Sequence, residues 1–119
     1  MWFTEYYFGN IGRISMDGVV AEYGLASFGF PAAITAGPDG ALWFTESSDN
    51  DWVNTIGRIT TAGEFTEYRA PVQNINFGAI TTGPDGAVWF TDAWSVQPNI
   101  VRVVVGSGVT ITGGQTPPR

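Results

Sequence analysis

The 119-residue chain contains no histidine and no cysteine. Without histidine it lacks the side chain that most often serves as general base and metal ligand near neutral pH. Without cysteine it has neither a disulfide framework nor thiol chemistry. Lysine is absent too: the five basic residues are all arginine, against eleven Asp and Glu, for a net charge of −6. Nucleic acid demands a clustered basic footprint. Arg13, Arg58 and Arg102 are instead dispersed at equivalent points of a repeat, so neither nucleic acid nor an anionic membrane is an expected partner. No apolar run approaches the ~18 residues of a membrane-spanning helix. The N-terminus shows no basic stretch followed by an apolar core, so no signal peptide is read and the compartment is left unassigned.

What the chain has is glycine (16), proline (7) and aromatic residues (14%), with charged residues at only 13%. That mix fits many short strands joined by tight turns and does not fit disorder, which needs few aromatics and many charges. The pattern Trp-Phe-Thr-acid occurs three times, at Trp2-Phe3-Thr4-Glu5, Trp43-Phe44-Thr45-Glu46 and Trp89-Phe90-Thr91-Asp92, at spacings of 41 and 46 residues. Self-similarity at this period marks a repeat architecture, in which a residue present in every copy is first suspected of building the fold.

The second copy is the most complete. Ala33-Ile34-Thr35-Ala36 is β-prone, and Gly37-Pro38-Asp39-Gly40 follows as a turn. Proline presets the second turn position, Asp suits the third and Gly ends it. Then come Ala41 to Glu46, a variable loop from Ser47 to Val53, Asn54 to Thr60, a short turn, and the alternating Glu64-Phe65-Thr66-Glu67-Tyr68. This predicts four strands in a meander. The third copy predicts four more, at 78–82, 87–92, 99–104 and 109–112. The first predicts three, at 2–5, 10–14 and 19–23, and lacks an innermost strand with its Gly-Pro-Asp-Gly turn. Four-stranded meanders at this period read as β-propeller blades, all-β, about three to the chain. The expected organisation is one partial-propeller domain over 1–114, with blades near 1–25, 31–70 and 77–113, and a tail at 115–119.

The string Ile-Thr-Ala-Gly-Pro-Asp-Gly-Ala-Leu-Trp-Phe-Thr-Glu (34–46), with Ile-Gly-Arg-Ile-Thr (56–60) and Glu-Phe-Thr-Glu-Tyr (64–68), resembles the blade of the streptogramin B (virginiamycin B) lyase family. The match recurs at 80–92 and in part at 2–23. The resemblance implies blades of a seven-bladed propeller. For the family's activity it implies Mg²⁺-dependent ring opening of streptogramin B antibiotics by elimination at an ester. It also implies a histidine acid/base just before the innermost strand, after a proline. Ala32 (in Pro31-Ala32-Ala33-Ile34) and Gly78 (in Phe77-Gly78-Ala79-Ile80) occupy those positions, and Phe30 and Asn76 stand where an acid precedes the pair in one blade. Neither alanine nor glycine moves a proton. The enzyme reading therefore leans to no, and no cofactor is expected unless lyase activity, and with it Mg²⁺, is retained.

Several residues carry two readings. Glu5, Glu46 and Asp92 are equivalent carboxylates that could ring a cation, as hard metals want several oxygens. The stronger reading is structural, each capping a hairpin or pairing with a repeat arginine. Arg13, Arg58 and Arg102 could take an anion, but more readily lie along a blade with the head on a carboxylate. The repeat tryptophans are expected between blades. Trp52 and Trp94, in the loop after the repeat strand, are candidate ligand-binding residues with Tyr6 and Tyr7 of the same loop in the first copy; packing against a neighbouring chain is the competing reading. Asp49-Asn50-Asp51 lacks the rest of a Ca²⁺ loop and reads as a solvated turn.

Propellers close with about four to eight blades, so three make no ring. The expected solutions are a homo-oligomer (a dimer foremost, or a filament if the rotation does not close) or the remainder of a longer propeller. The functional expectation is a non-catalytic propeller module binding a ligand or partner through its loop face. A divergent or partial Mg²⁺-dependent lyase and a structural, filament-forming protein are the alternatives.

Overall fold

The computed structural model describes residues 1–25, 30–47, 55–69, 77–92, 100–105 and 109–115. Among these are eleven strands in three antiparallel sheets. The first sheet holds β1 (Trp2–Glu5), β2 (Asn10–Ile14) and β3 (Val20–Gly24), in that order. The second holds β4 (Phe30–Ala36), β5 (Leu42–Ser47), β6 (Thr55–Ile59) and β7 (Phe65–Arg69). The third holds β8 (Phe77–Thr82), β9 (Ala87–Asp92), β10 (Ile100–Val105) and β11 (Val109–Gln115). Each sheet is a meander in sequence order, so the three-plus-four-plus-four reading of the blades stands.

One hairpin closure recurs at the tight turns. At Gly37–Ala41 the Gly40 amide donates to the Gly37 carbonyl (3.4 Å) and the Gly37 amide to the Ala41 carbonyl (2.8 Å). Gly40 sits at φ 83°, the left-handed region. This is a three-residue loop built on a type I turn, whose last residue must accept positive φ. Ser15–Val19, Thr60–Glu64 and Gly83–Ala87 repeat the same pair of backbone bonds.

Side chains alternate along each strand, so adjacent residues of the Trp-Phe pair face opposite neighbours. Phe44 packs toward the first blade, with Ile11, Leu25, Leu42 and Ile59, and Trp2 and Tyr23 border this cluster. Trp43 packs toward the third blade, with Val88, Phe90, Val101 and Val103. The core therefore lies between sheets, as the inter-blade placement of the tryptophans anticipated. Trp43 is fully buried, whereas Trp2 and Trp89 are half-buried.

Gly57 shows how tightly a blade is built. It pairs across the ladder with Phe44, and a Cβ there would fall within the Phe44 ring. Gly12 stands in the same relation to Phe3. In the third blade Val101 takes this place opposite Phe90, and both are buried. The constraint comes from where the ring lies, not from the ladder itself.

The sequence reading missed two features. A 3-10 turn, Tyr6–Phe8, lies between β1 and β2, ended by Gly9 at φ 68°. Strands β4 and β8 begin earlier than the β-propensity of 33–36 and 78–82 suggests. Each carries a register shift, between Pro31 and Ile34 and between Phe77 and Ile80. Propensity does not reveal an irregularity stabilised by a partner strand.

Candidate functional site: the bulged inner strands and the aromatic loop

Ala32 and Gly78, the positions that the family resemblance assigns to a histidine, fall within these irregularities. Ala32 is exposed in the shift of β4, and Gly78 falls in the shift of β8. The repeat threonine holds each bulge open. Thr45 Oγ1 accepts from the Ala33 amide at 3.1 Å, and Thr91 Oγ1 from the Ala79 amide at 3.0 Å. The amide that the bulge withdraws from the ladder is thus satisfied by a side chain of the next strand, as a backbone donor in such a place requires. Bulges recur where a fold re-aims a side chain. Here the re-aimed position carries a methyl group in one blade and no side chain in the other.

Arg58 and Arg102 bind the aspartate of the Gly-Pro-Asp-Gly turn, which the sequence reading took for turn chemistry alone. Asp39 Oδ1 accepts from Trp43 Nε1 at 3.1 Å and from the Ala41 amide at 3.3 Å. Its Oδ2 accepts from Arg58 Nε at 2.7 Å. Asp85 repeats the arrangement with Trp89 (3.1 Å), Ala87 (3.2 Å) and Arg102 (3.0 Å). Each arginine also lies over its tryptophan, at 6.0 Å for Arg58 on Trp43 and 5.5 Å for Arg102 on Trp89. Burial by itself would raise the Asp39 carboxyl, but the bonds from Arg58, Trp43 and Ala41 outweigh it and hold Asp39 below the ordinary carboxylate range. Asp85 is also held low, by the Trp89 indole first and then the Ala87 amide and Arg102. A signal was available: Asp, Trp and Arg recur together in copies two and three.

Glu5 accepts a bond from Asn10 Nδ2 at 3.0 Å. Its charge and a shared hydrogen bond push the carboxyl of Glu22 above the ordinary range. Glu46 is buried at the end of β5, beside Pro31 in the ladder. Asp92 ends β9, and its side chain lies outside the described residues. Among the described residues no group of three or more His, Cys, Asp or Glu is arranged to hold a metal ion.

Trp52, Trp94 and the run Asp49-Asn50-Asp51 lie outside the described residues. Tyr6 and Tyr7 do not, and the structure joins Phe8 to them: the three are 44%, 85% and 82% exposed. Tyr6 meets Tyr7 edge to face at 5.2 Å and lies 5.3 Å from Phe30 at the start of the next blade. Phe8 has no counterpart among the loop aromatics of the other two copies, so the repeat pattern does not mark it. The run of three aromatics before a glycine was the signal. No helix among the described residues is long and apolar enough to cross a membrane.

Comparison with known proteins places these features. The chain is similar to virginiamycin B lyase from Staphylococcus aureus, with 38% identity and a TM-score of 0.79 over 98% of this chain and 38% of that one. It is similar to a streptogramin B lyase structure at 41% identity and a TM-score of 0.77, over 97% of this chain and 37% of that one. A catalytically inactive histidine-to-alanine variant of the Staphylococcus aureus enzyme, solved with quinupristin, matches at 38% identity and a TM-score of 0.79. The chain thus spans well under half the length of these relatives. No curated protein matches. The profile of the virginiamycin B lyase family matches residues 1–113, and with the blade code and the inner-strand bulges in place, the chain belongs to that family.

Proposed function

We propose that these blades form part of a ring wall that binds a cyclic peptide ligand on its loop face and does not itself supply the proton transfer of lyase chemistry. The observation that carries this reading is the exposed group Tyr6, Tyr7 and Phe8 at the blade 1–blade 2 boundary. Rigid aromatic side chains give large contact area at low entropic cost, which suits a macrocycle. Two further points support it. Ala32 and Gly78 occupy the positions that the family resemblance assigns to a histidine, and neither can move a proton. A relative described as catalytically inactive, with alanine in place of a histidine, was solved with quinupristin, so binding and turnover are separable in the family.

The ring is completed by blades beyond these three, in this reading by further copies of the chain. Light scattering on the eluted protein is expected to give a multiple of 12.8 kDa. A stable monomer of that mass refutes self-assembly. The binding test is calorimetric titration with quinupristin, alongside mass spectrometry for ring opening with and without Mg²⁺. Saturable binding without a linear product is expected, weakened about tenfold by Tyr7→Ala, a typical loss for an aromatic anchor. Any ring-opened product refutes the non-catalytic reading, and absence of binding refutes the ligand reading.

A second reading has one specific observation in its favour: the chain matches only 38% of the Staphylococcus aureus enzyme. In that reading the three blades are the histidine-free part of a longer lyase. Ring opening restored by adding the remaining blades would establish it.

A further inference from the structure

The dipeptide Asp-Gly occurs three times, at Asp17-Gly18, Asp39-Gly40 and Asp85-Gly86. All three close hairpins with the same backbone. In each the glycine amide donates to the carbonyl three residues back, at 3.0, 3.4 and 3.1 Å in chain order. The glycines stand at φ 83°, 83° and 77°. Each aspartate occupies the third turn position, and a Cβ on any of the three glycines would meet nothing within 4 Å. The backbone therefore treats the three dipeptides alike, and the difference between them lies around the aspartate side chain.

Asp39 is held by the Ala41 amide, the Trp43 indole and Arg58, and Asp85 by the Ala87 amide, the Trp89 indole and Arg102. Asp17 has none of these partners. The Val19 amide, counterpart of Ala41, donates instead to Ser15 Oγ at 3.1 Å. Ser15 brings a hydroxyl to the place where Gly37 and Gly83 have no side chain. Ala21, four residues past Asp17, offers no donor where Trp43 and Trp89 offer an indole. Among the described residues no hydrogen bond or ion pair engages the Asp17 carboxylate, and the residue is exposed.

We propose that Asp17-Gly18 is a site of spontaneous isomerisation to isoaspartate, and that the clasps on Asp39 and Asp85 protect the other two dipeptides from the same reaction. The Gly18 nitrogen attacks Cγ of the protonated Asp17 carboxyl. A C–N bond forms, a Cγ–O bond breaks, and the amide proton leaves with the hydroxyl as water. Glycine permits the approach because no Cβ shields its nitrogen. Water then opens the cyclic imide. Cleavage at Cγ restores aspartate; cleavage at the main-chain carbonyl carries the backbone through Cγ and leaves the α-carboxylate free. The water lost is regained, and no oxidant or cofactor enters. The bond from Gly18 to Ser15 must open first, as a hairpin tip does in local fluctuation. At Asp39 and at Asp85 three further bonds have to break. Both of those carboxyls also stay below the ordinary carboxylate range, which depletes the protonated form that ring closure needs. Isoaspartate lengthens the main chain by one atom, so conversion unseats the backbone bonds that close the turn between Ser15 and Val19. The site is separate from the aromatic loop and does not depend on what that loop binds.

The test incubates the whole folded chain at neutral pH for several weeks, beside the same chain unfolded in urea. Peptide mapping with electron-transfer fragmentation then measures isoaspartate at each of the three positions. In the folded chain, conversion at Asp17 should exceed that at Asp39 and at Asp85 at least about tenfold, the factor expected from one net hydrogen bond. In urea the three rates should converge to within a few-fold, because the dipeptide is the same. Asp17→Glu, whose longer side chain closes a less favourable ring, should remove the folded-chain signal. The main comparison lies within one unaltered chain, so no variant has to fold for it to be read. The proposal is overturned if Asp39 or Asp85 converts as fast as Asp17 in the folded chain, if Asp17 stays unconverted there, or if the folded-chain ranking persists in urea.

Discussion

Replacing Asp39 with alanine removes the one acceptor shared by Trp43, the Ala41 amide and Arg58. Trp43 is fully buried, so its indole N–H is left without its acceptor once the carboxylate is gone. A buried donor left unmatched costs ~1–3 kcal/mol. The Arg58 pair adds less, because its side chains are 24% and 17% exposed and a partly solvated pair is worth up to about 1 kcal/mol. Together these set the loss at about 3 kcal/mol, or roughly 12 °C in Tm for a domain of this size. Asp39→Asn separates the parts. It retains an oxygen for the indole and loses the ion pair, so it should fall between wild type and Asp39→Ala. Asp85→Ala should cost less than Asp39→Ala, because its pair is more exposed, at 38% and 35%, and Trp89 is only half-buried. Urea unfolding followed by tryptophan fluorescence gives all four values. A loss under about 0.5 kcal/mol for Asp39→Ala, the range of an ordinary surface change, would refute the clasp.

Two further outcomes follow from the packing and the charges. Gly57→Ala drives a methyl group into the Phe44 ring, which is itself buried and edge-on to Phe65 at 6.2 Å, so urea unfolding should show a loss of about 1–3 kcal/mol. An unchanged midpoint would mean that the ring can move aside as its counterpart does beside Val101. Acid stability has two components of opposite sign. Asp39 and Asp85 titrate below their ordinary value, so their contribution is complete above the unfolded carboxylate pKa of about 4 and is lost as pH falls below it. Glu22 titrates above its ordinary value because of Glu5, so its protonated form is favoured in the fold and that contribution is lost as pH rises through its folded pKa. Thermal melts should therefore improve slightly on mild acidification and then fall steeply below about pH 4. Glu22→Gln should abolish the first effect, and Asp39→Asn should flatten the second.

Much of this was legible in residue order. Strand patterning and turn chemistry are local, so Gly37-Pro38-Asp39-Gly40 and the Trp-Phe-Thr-acid strands announced their hairpins, and hairpins in series made blades. The inner-strand irregularities were not legible. The run from Phe30 to Ala36 has no signal that Thr45, on another strand, would take up the Ala33 amide. The sequence placed the head of Arg58 on a carboxylate without saying which one. Several carboxylates lie within reach on a linear reading, and only the ladder register, which sets Trp43 opposite Arg58, brings the arginine beside the turn aspartate. Tyr6 and Tyr7 were recognised by their loop, but Phe8 and the approach of Phe30 needed two blades placed side by side.

The sequence by itself determined the unit: a β-meander whose turns, alternation and aromatic positions are short-range properties of the backbone and its side chains. It also determined that neither Ala32 nor Gly78 carries a side chain that can move a proton. The tertiary structure decided the roles within the unit. Which acid clasps which arginine and which threonine holds the bulge open depend on residues distant in the chain meeting across a ladder or between sheets. Such meetings depend on register and packing, and a linear pattern does not carry them.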